Sequence, residues 1–353
     1  MVEQPASSPY ADAWILDGFD DIDIFGPEAG RVRLDRLAPY LPVKVPPEAV
    51  NISGNSNDVW ILGDGVLRVC WRADRDRLLR EAALLDALPV GIAHTPVIDV
   101  GRSDGASWLL LGRVPGTPLN EVMLDLPKPV QRDVFRQVAR LLADLHAWVP
   151  PASLRELLIE RPAIDPAVEL SVWAADLIPL PTWRVDAVAN LAKRLPFVDP
   201  DLIDAVVACI ESLAEPDPLV DGKSESVVLH SDFGPFNLLV KDGRITALLD
   251  FEWARIGPPD LDLALPFFLA QFEDLWGQGP ATLPFLQWLE EDYPGLFAAP
   301  DLDRRLWLYG LCLGLRTVVW WPPAGPEPTL ESDHPLHMLR RLVAGPIPRF
   351  RAR

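Results

Sequence analysis

A chain of 353 residues, 49% of them apolar, is long enough for two lobes that each bury a core. Its 32 basic and 51 acidic residues leave a net charge of −19, which excludes a general nucleic-acid binder, because phosphate backbones demand clustered Lys and Arg. Cys70, Cys209 and Cys312 stand far apart in apolar surroundings, with neither a disulfide framework nor a zinc spacing. The opening MVEQPASSPYADAW has no basic start followed by an apolar run, so no secretory signal is expected there, and the expected location is cytoplasmic.

In chain order, VWILGDGVLRV (59–69) is two short strand-like runs about a Gly-Asp-Gly turn. The next segment, DRDRLLREAALLDAL, sets Leu78, Ala82, Leu85 and Leu88 at helical spacing. TPVIDVG and SWLLLGRV are two further strand candidates. After Gly116 the pattern changes to long helices, among them QRDVFRQVARLLADLHAW and DLIDAVVACIESLAE. The apolar LWLYGLCLGLRTVVWW (306–321) is interrupted by Arg316 and is shorter than the ~20 residues of a membrane span, so it predicts a buried helix. A sheet-rich lobe over 1–113, with an extension over about 1–35, and a larger helical lobe over 114–353 follow from this pattern.

The stretch LHSDFGPFNLLV (229–240) carries His230, Asp232 and Asn237 just ahead of a strand. Asp242-Gly243 then predicts a two-residue hairpin turn, since both positions need positive φ. With 241 facing 244, Asn237 falls opposite 248, and strand alternation puts Asn237 and Asp250 on one face at the open end of the hairpin. An amide oxygen and a carboxylate held there form a hard-oxygen site suited to Mg²⁺. Asp232 leads into the same end, where a second carboxylate is placed to accept the proton of an attacking hydroxyl.

HSDFGPFN, then DFE with its Asp thirteen residues beyond Asn237, then GPPDLDLA, resembles the catalytic segment of the aminoglycoside phosphotransferase-like kinases, relatives of the protein kinases. The resemblance implies an α+β, two-lobed protein-kinase-like fold, with ATP or GTP and Mg²⁺ in the cleft between the lobes. It implies Asp232 as catalytic base, Asn237 and Asp250 as metal ligands, and His230, Glu252 and Asp262 as supports of the site.

A kinase also needs a strand cation for the phosphates and a helical Glu to orient it. Arg68 in VLRV and Glu81, which lies within the apolar stripe of its helix, supply such a pair, although Glu81 also lies one turn from Arg77. Family members commonly carry Lys where Arg68 stands. SGNSND, with Ser53, Gly54 and Asn55, resembles the phosphate-covering loop. LLLGRVPGTPL matches the interlobe hinge, where Gly112, Arg113 and Val114 would meet the purine. His146 reads as a packed core histidine, and Trp320 and Trp321 as candidates for an acceptor pocket.

The expected reaction is transfer of a γ-phosphoryl group to a hydroxyl of a small cationic metabolite or antibiotic. Two alternatives are a kinase of peptide Ser or Thr in natural-product biosynthesis and a nucleotide-binding pseudokinase. Neither a nucleic-acid nor a membrane partner is expected.

Overall fold

The computed structural model describes residues 27–52, 57–71, 76–103, 106–159, 185–214, 226–271, 279–320 and 335–345. It is an α+β protein in which a five-stranded antiparallel sheet leads into a mainly helical region. Helix α1 (Pro27–Leu37) precedes strands β1 (Val50–Asn51), β2 (Asp58–Leu62) and β3 (Gly65–Cys70). Helix α2 (Arg77–Ala87), β4 (Val97–Ser103) and β5 (Ala106–Gly112) complete this part, with strand order β1-β2-β3-β5-β4.

Each face of the sheet has its own cover. On the outer side Leu34 and Leu37 of α1 are fully buried against Trp60, Leu67, Trp71 and Trp108. Arg33, on the same helix, is buried too. It pairs with Asp58 through Nε (2.5 Å) and Nη2 (2.8 Å) while its guanidinium lies 4.3 Å over the Trp71 ring. On the inner side α2 presents Leu78, Ala82 and Leu85, the stripe its spacing predicts. Burying a leucine this completely is worth about 1.5–3 kcal/mol relative to leaving it exposed.

The second part begins with β6 (Thr117–Pro118), α3 (Leu119–Val122), α4 (Lys128–Ala147) and α5 (Ala152–Ile159), and later supplies β7 (Val227–Leu229), β8 (Leu238–Lys241), β9 (Arg244–Leu248) and β10 (Arg255–Gly257). β6-β8-β9 form one small sheet and β10-β7 another. The inner-side core runs without a break from Leu78 and Leu85 through Val138 and Leu142 of α4 to Leu238 and Phe251. A separate core joins the helices Val185–Ala192 and Pro200–Leu213 to Leu302–Trp320 and Pro335–Val343. The predicted buried helix is thus present, and Arg316 within it is 1% exposed. Among the described residues no helix is long and apolar enough to cross a membrane.

The DG hairpin forms as predicted, with φ of 52° at Asp242 and 72° at Gly243, and Lys241 facing Arg244. Gln137 of α4 fixes the turn: its amide donates to the Gly243 carbonyl (3.0 Å) and accepts from the Ile245 N–H (3.0 Å). The predicted register does not persist along the hairpin. A bulge leaves Thr246 unopposed, so Leu238 rather than Asn237 faces Leu248, and Asn237 accepts from the Leu249 N–H (2.8 Å). Thr246 bonds instead to the Pro115 carbonyl (2.9 Å) at the start of the helical region.

Candidate active site

The loop after β7 is held from behind by Asp262. This carboxylate accepts the backbone N–H of His230 on Oδ2 (3.0 Å) and that of Ser231 on Oδ1 (2.6 Å). Ser231 sits at φ 68°, a left-handed conformation that costs energy outside glycine and persists where the surroundings enforce it. Asp262 also accepts from Nε2 of His146 (3.0 Å), whose Nδ1 accepts from the Tyr293 hydroxyl (3.2 Å). His146 is therefore a packed, hydrogen-bonded residue that braces the loop through Asp262. Asp260, two positions earlier, takes two bonds from Arg305 (2.6 and 2.7 Å) and one from Tyr309 (3.0 Å), anchoring the short 3₁₀ segment that carries Asp262.

His230 is fully buried. Its Nε2 lies 2.7 Å from the Leu249 carbonyl, so Nε2 carries the proton, and Nδ1 accepts from the Asp232 N–H (3.3 Å). Burial lowers its pKa and keeps the ring neutral, against the pull of Asp262. The Asp232 side chain follows, 4% exposed, with Oδ2 accepting from Asn237 Nδ2 (2.9 Å), which also donates to the Asp232 carbonyl (2.9 Å). Oδ1 of Asp232 is buried without a hydrogen-bond partner among the described residues. Burial pushes this carboxyl well above the ordinary range, Asp250 and Glu252 add to the shift, and Asn237 and Arg316 oppose it.

Asp250 leaves β9 in a left-handed conformation (φ 65°, ψ 60°), with its side chain one-third exposed. The face argument from strand alternation therefore does not reach it. Tertiary structure brings it to the site by another route. Nη2 of Arg68 donates to Asp250 Oδ1 (2.6 Å) and lies 3.0 Å from Glu252 Oε2, while Nη1 reaches both Glu81 oxygens (2.7 and 2.6 Å). Glu81 Oε1 also accepts the Phe251 N–H (3.0 Å). Burial alone would lower the Arg68 pKa, but Asp250, Glu81 and Glu252 hold it above its ordinary value. Burial pushes the Glu81 carboxyl up against the pull of Arg68.

Arg77 does not pair with Glu81. Its Nε lies 2.9 Å from Glu252 Oε2, and its Nη2 donates to Asn57 Oδ1 (2.8 Å). Asn57 in turn donates to Glu252 Oε2 (2.6 Å). Sequence reasoning overlooked Asn57. Its signal was its place as the fifth residue of SGNSND, just before β2, where nothing marked it apart from its neighbours. Ser53, Gly54 and Asn55 lie outside the described residues, as does Trp321. At the hinge the Gly112 N–H is bonded to the Pro96 carbonyl and the Arg113 N–H to the Asp64 carbonyl, both at 2.8 Å. Val114 is left as the hinge residue whose amide no described residue engages.

The donor set suits a divalent cation. Asn237 and Asp250 offer hard oxygens, and Glu81, Asp250 and Glu252 bring carboxylate atoms within 4.8 Å of one another. Once ionised, these three carboxylates and Asp232 outnumber Arg68, Arg77 and Arg316, the buried cations that act on them, by one, and Oδ1 of Asp232 is without a hydrogen-bond partner among the described residues.

A five-stranded sheet tied to a helix by a buried Arg–Glu pair, Arg68 on β3 and Glu81 on α2, and joined to a helical region with a clamped Asp–Asn loop, defines a protein-kinase-like fold. A model described as the phosphotransferase enzyme family matches residues 49–296, and the chain belongs to that family. Viomycin phosphotransferase from Streptomyces vinaceus is 30% identical over 203 residues, 55% of this chain and 63% of that protein. The match thus spans less than two thirds of that relative. Among solved structures, the apo form of a thermostable mutant of aminoglycoside phosphotransferase APH(4)-Ia aligns with a TM-score of 0.57 at 18% identity, over 89% of this chain and 98% of that one. The GDP complex of wild-type aminoglycoside 2'-phosphotransferase-IIIa gives the same TM-score, identity and coverage. The ADP-bound structure of APH(2'')-Ib aligns with a TM-score of 0.55 at 15% identity, over 88% and 95%.

Proposed function

We propose that the protein transfers the γ-phosphoryl group of Mg²⁺-bound ATP or GTP to a hydroxyl of a small, cationic antibiotic-like acceptor. The observation that carries this reading is that Asp232 is bonded to Asn237 and lies within the electrostatic reach of Asp250, which is in turn bonded by the buried Arg68. In the proposal Asp232 receives the acceptor's proton, and Asn237 and Asp250 hold the metal, which when bound neutralises charge on the transferring phosphoryl group. Arg68, oriented by Glu81, contacts the phosphates, and the hinge at Val114 meets the purine. His230, Glu252 and Asp262 support the site without touching substrate.

The net charge of −19 supports a cationic acceptor, because an acidic cleft with low-dielectric walls concentrates cations. Viomycin, the acceptor in the name of the relative above, heads the panel to test, with aminoglycosides beside it. The experiment is phosphate transfer from labelled ATP or GTP with Mg²⁺ to that panel, followed at rising salt. The reading expects one cationic acceptor to be labelled, with kcat/KM falling as salt shortens the Debye length below about 10 Å. Nucleotide binding without transfer to any hydroxyl compound would sink it.

A further inference from the structure

Asn57 and Asp58 are consecutive, yet they are held from opposite sides of the sheet. Asp58 faces outward to Arg33 of α1, and Asn57 faces inward to Arg77 and Glu252. The inward group is a triangle with two hydrogen-bonded sides and one ion-pair side. Arg77 bonds the oxygen of the Asn57 amide, Asn57 bonds Glu252 Oε2 through its nitrogen, and Arg77 Nε lies beside that same carboxylate oxygen. Arg77 is 2% exposed and Asn57 4%, and the Glu252 side chain is fully buried. Arg77 also lies 5.2 Å over the Trp253 ring.

Stability alone is a poor reason for such a group. Buried charges and amides cost desolvation energy, and a packed apolar set of similar volume often does as well or better. What a buried triangle of two hydrogen bonds and one ion pair provides is fixed geometry, because its members meet in this way only in one arrangement. The three corners belong to different parts of the fold. Asn57 immediately precedes β2 and directly follows Ser53–Ser56 in sequence, Arg77 opens α2, and Glu252 is two residues from Asp250. Through Glu252 Oε2 the triangle also touches Arg68.

We propose that Arg77 is a positioning residue for the nucleotide. By spanning Asn57 and Glu252 it fixes the start of β2 relative to Arg68 and Asp250, the groups assigned above to phosphate and metal. This rests on the proposed nucleotide-dependent reaction. Lysine would keep the charge, but one ammonium on a flexible stem cannot reproduce the planar fork that meets the amide and the carboxylate together.

The test is Arg77→Lys, assayed with Mg-ATP and acceptor varied separately, with calorimetry for Mg-ATP and thermal unfolding alongside. Asn57→Ala and the double variant complete a cycle. Arg77→Lys is expected to raise KM and Kd for Mg-ATP about tenfold, while KM for the acceptor stays within about twofold, as for loss of a charge-assisted hydrogen bond. The double variant is expected to be no worse than Arg77→Lys alone. Unchanged affinity for Mg-ATP in a folded Arg77→Lys protein would overturn the proposal. So would a fall in kcat that tracks the folded fraction while both KM values stay fixed, since that is a structural role. Wild-type protein that binds no nucleoside triphosphate would overturn the functional reading itself. Wild-type binding with an unaffected variant overturns this inference alone.

Discussion

Asp262 accepts the backbone N–H of Ser231 at 2.6 Å, and Ser231 is a non-glycine residue at φ 68°. One carboxylate thus holds the strained turn that leads to Asp232. Asp262→Ala is expected to leave two buried N–H groups and the His146 ring without an acceptor. Each orphaned N–H costs about 1–3 kcal/mol, so a clear drop in melting temperature and a loss of activity are expected together. Wild-type melting behaviour in that variant would mean that the turn is held by something else.

Asp232→Asn separates chemistry from binding. Its carboxylate serves the acceptor hydroxyl in the proposed reaction, so kcat is expected to fall by about 10²–10⁴-fold. Mg-ATP affinity measured by calorimetry stays near wild type. A variant with near-normal turnover removes Asp232 from the base role.

Arg68 uses two nitrogens for three carboxylates, Nη1 for Glu81 and Nη2 for Asp250 and Glu252. A lysine at this position can meet one side well, because its ammonium is a single point of contact. Arg68→Lys is expected to weaken Mg-ATP binding about tenfold, on the scale of one charge-assisted hydrogen bond. Equal affinity in the two proteins would show that the second nitrogen is dispensable.

His230 supplies a pH test. Its pKa is lowered in the folded chain by burial, against an ordinary value of 6.5. Below pH 6.5 the unfolded chain takes up a proton that the native ring refuses, so this contribution to stability is present above 6.5 and fades as pH falls toward the lowered value. The slope approaches about 1.4 kcal/mol per pH unit. Glu81 and Asp232, whose carboxyls burial pushes upward, act in the opposite sense, since the native chain keeps protons that the unfolded chain releases. Comparing the pH dependence of chemical denaturation in wild type and His230→Gln isolates the histidine. Parallel curves for the two proteins would exclude it as the titrating group.

The fold was legible because periodicity and turn chemistry are local. The α2 stripe, the DG turn and the buried helix around Arg316 all follow from spacing, and each is present. The bulge at Thr246 was not legible, because nothing in RITAL distinguishes a regular strand from one whose threonine docks against Pro115. Nor did spacing foretell that Asp250 would turn left-handed. Which cation meets which carboxylate is decided by residues far apart in sequence. Arg77 stands one turn from Glu81 yet bonds Asn57 and ion-pairs with Glu252, and Glu81 takes Arg68.

Helix α1 bears on how the protein can be handled. The family match begins at residue 49, beyond α1, so a trimmed version starting there would look complete by homology. It would lack Leu34 and Leu37, and the indoles of Trp60, Trp71 and Trp108 that they cover would face water. Exposed apolar patches of that kind drive self-association. Such a fragment would precipitate or clump for reasons unrelated to phosphoryl transfer, and its silence in an assay would say nothing about the chemistry.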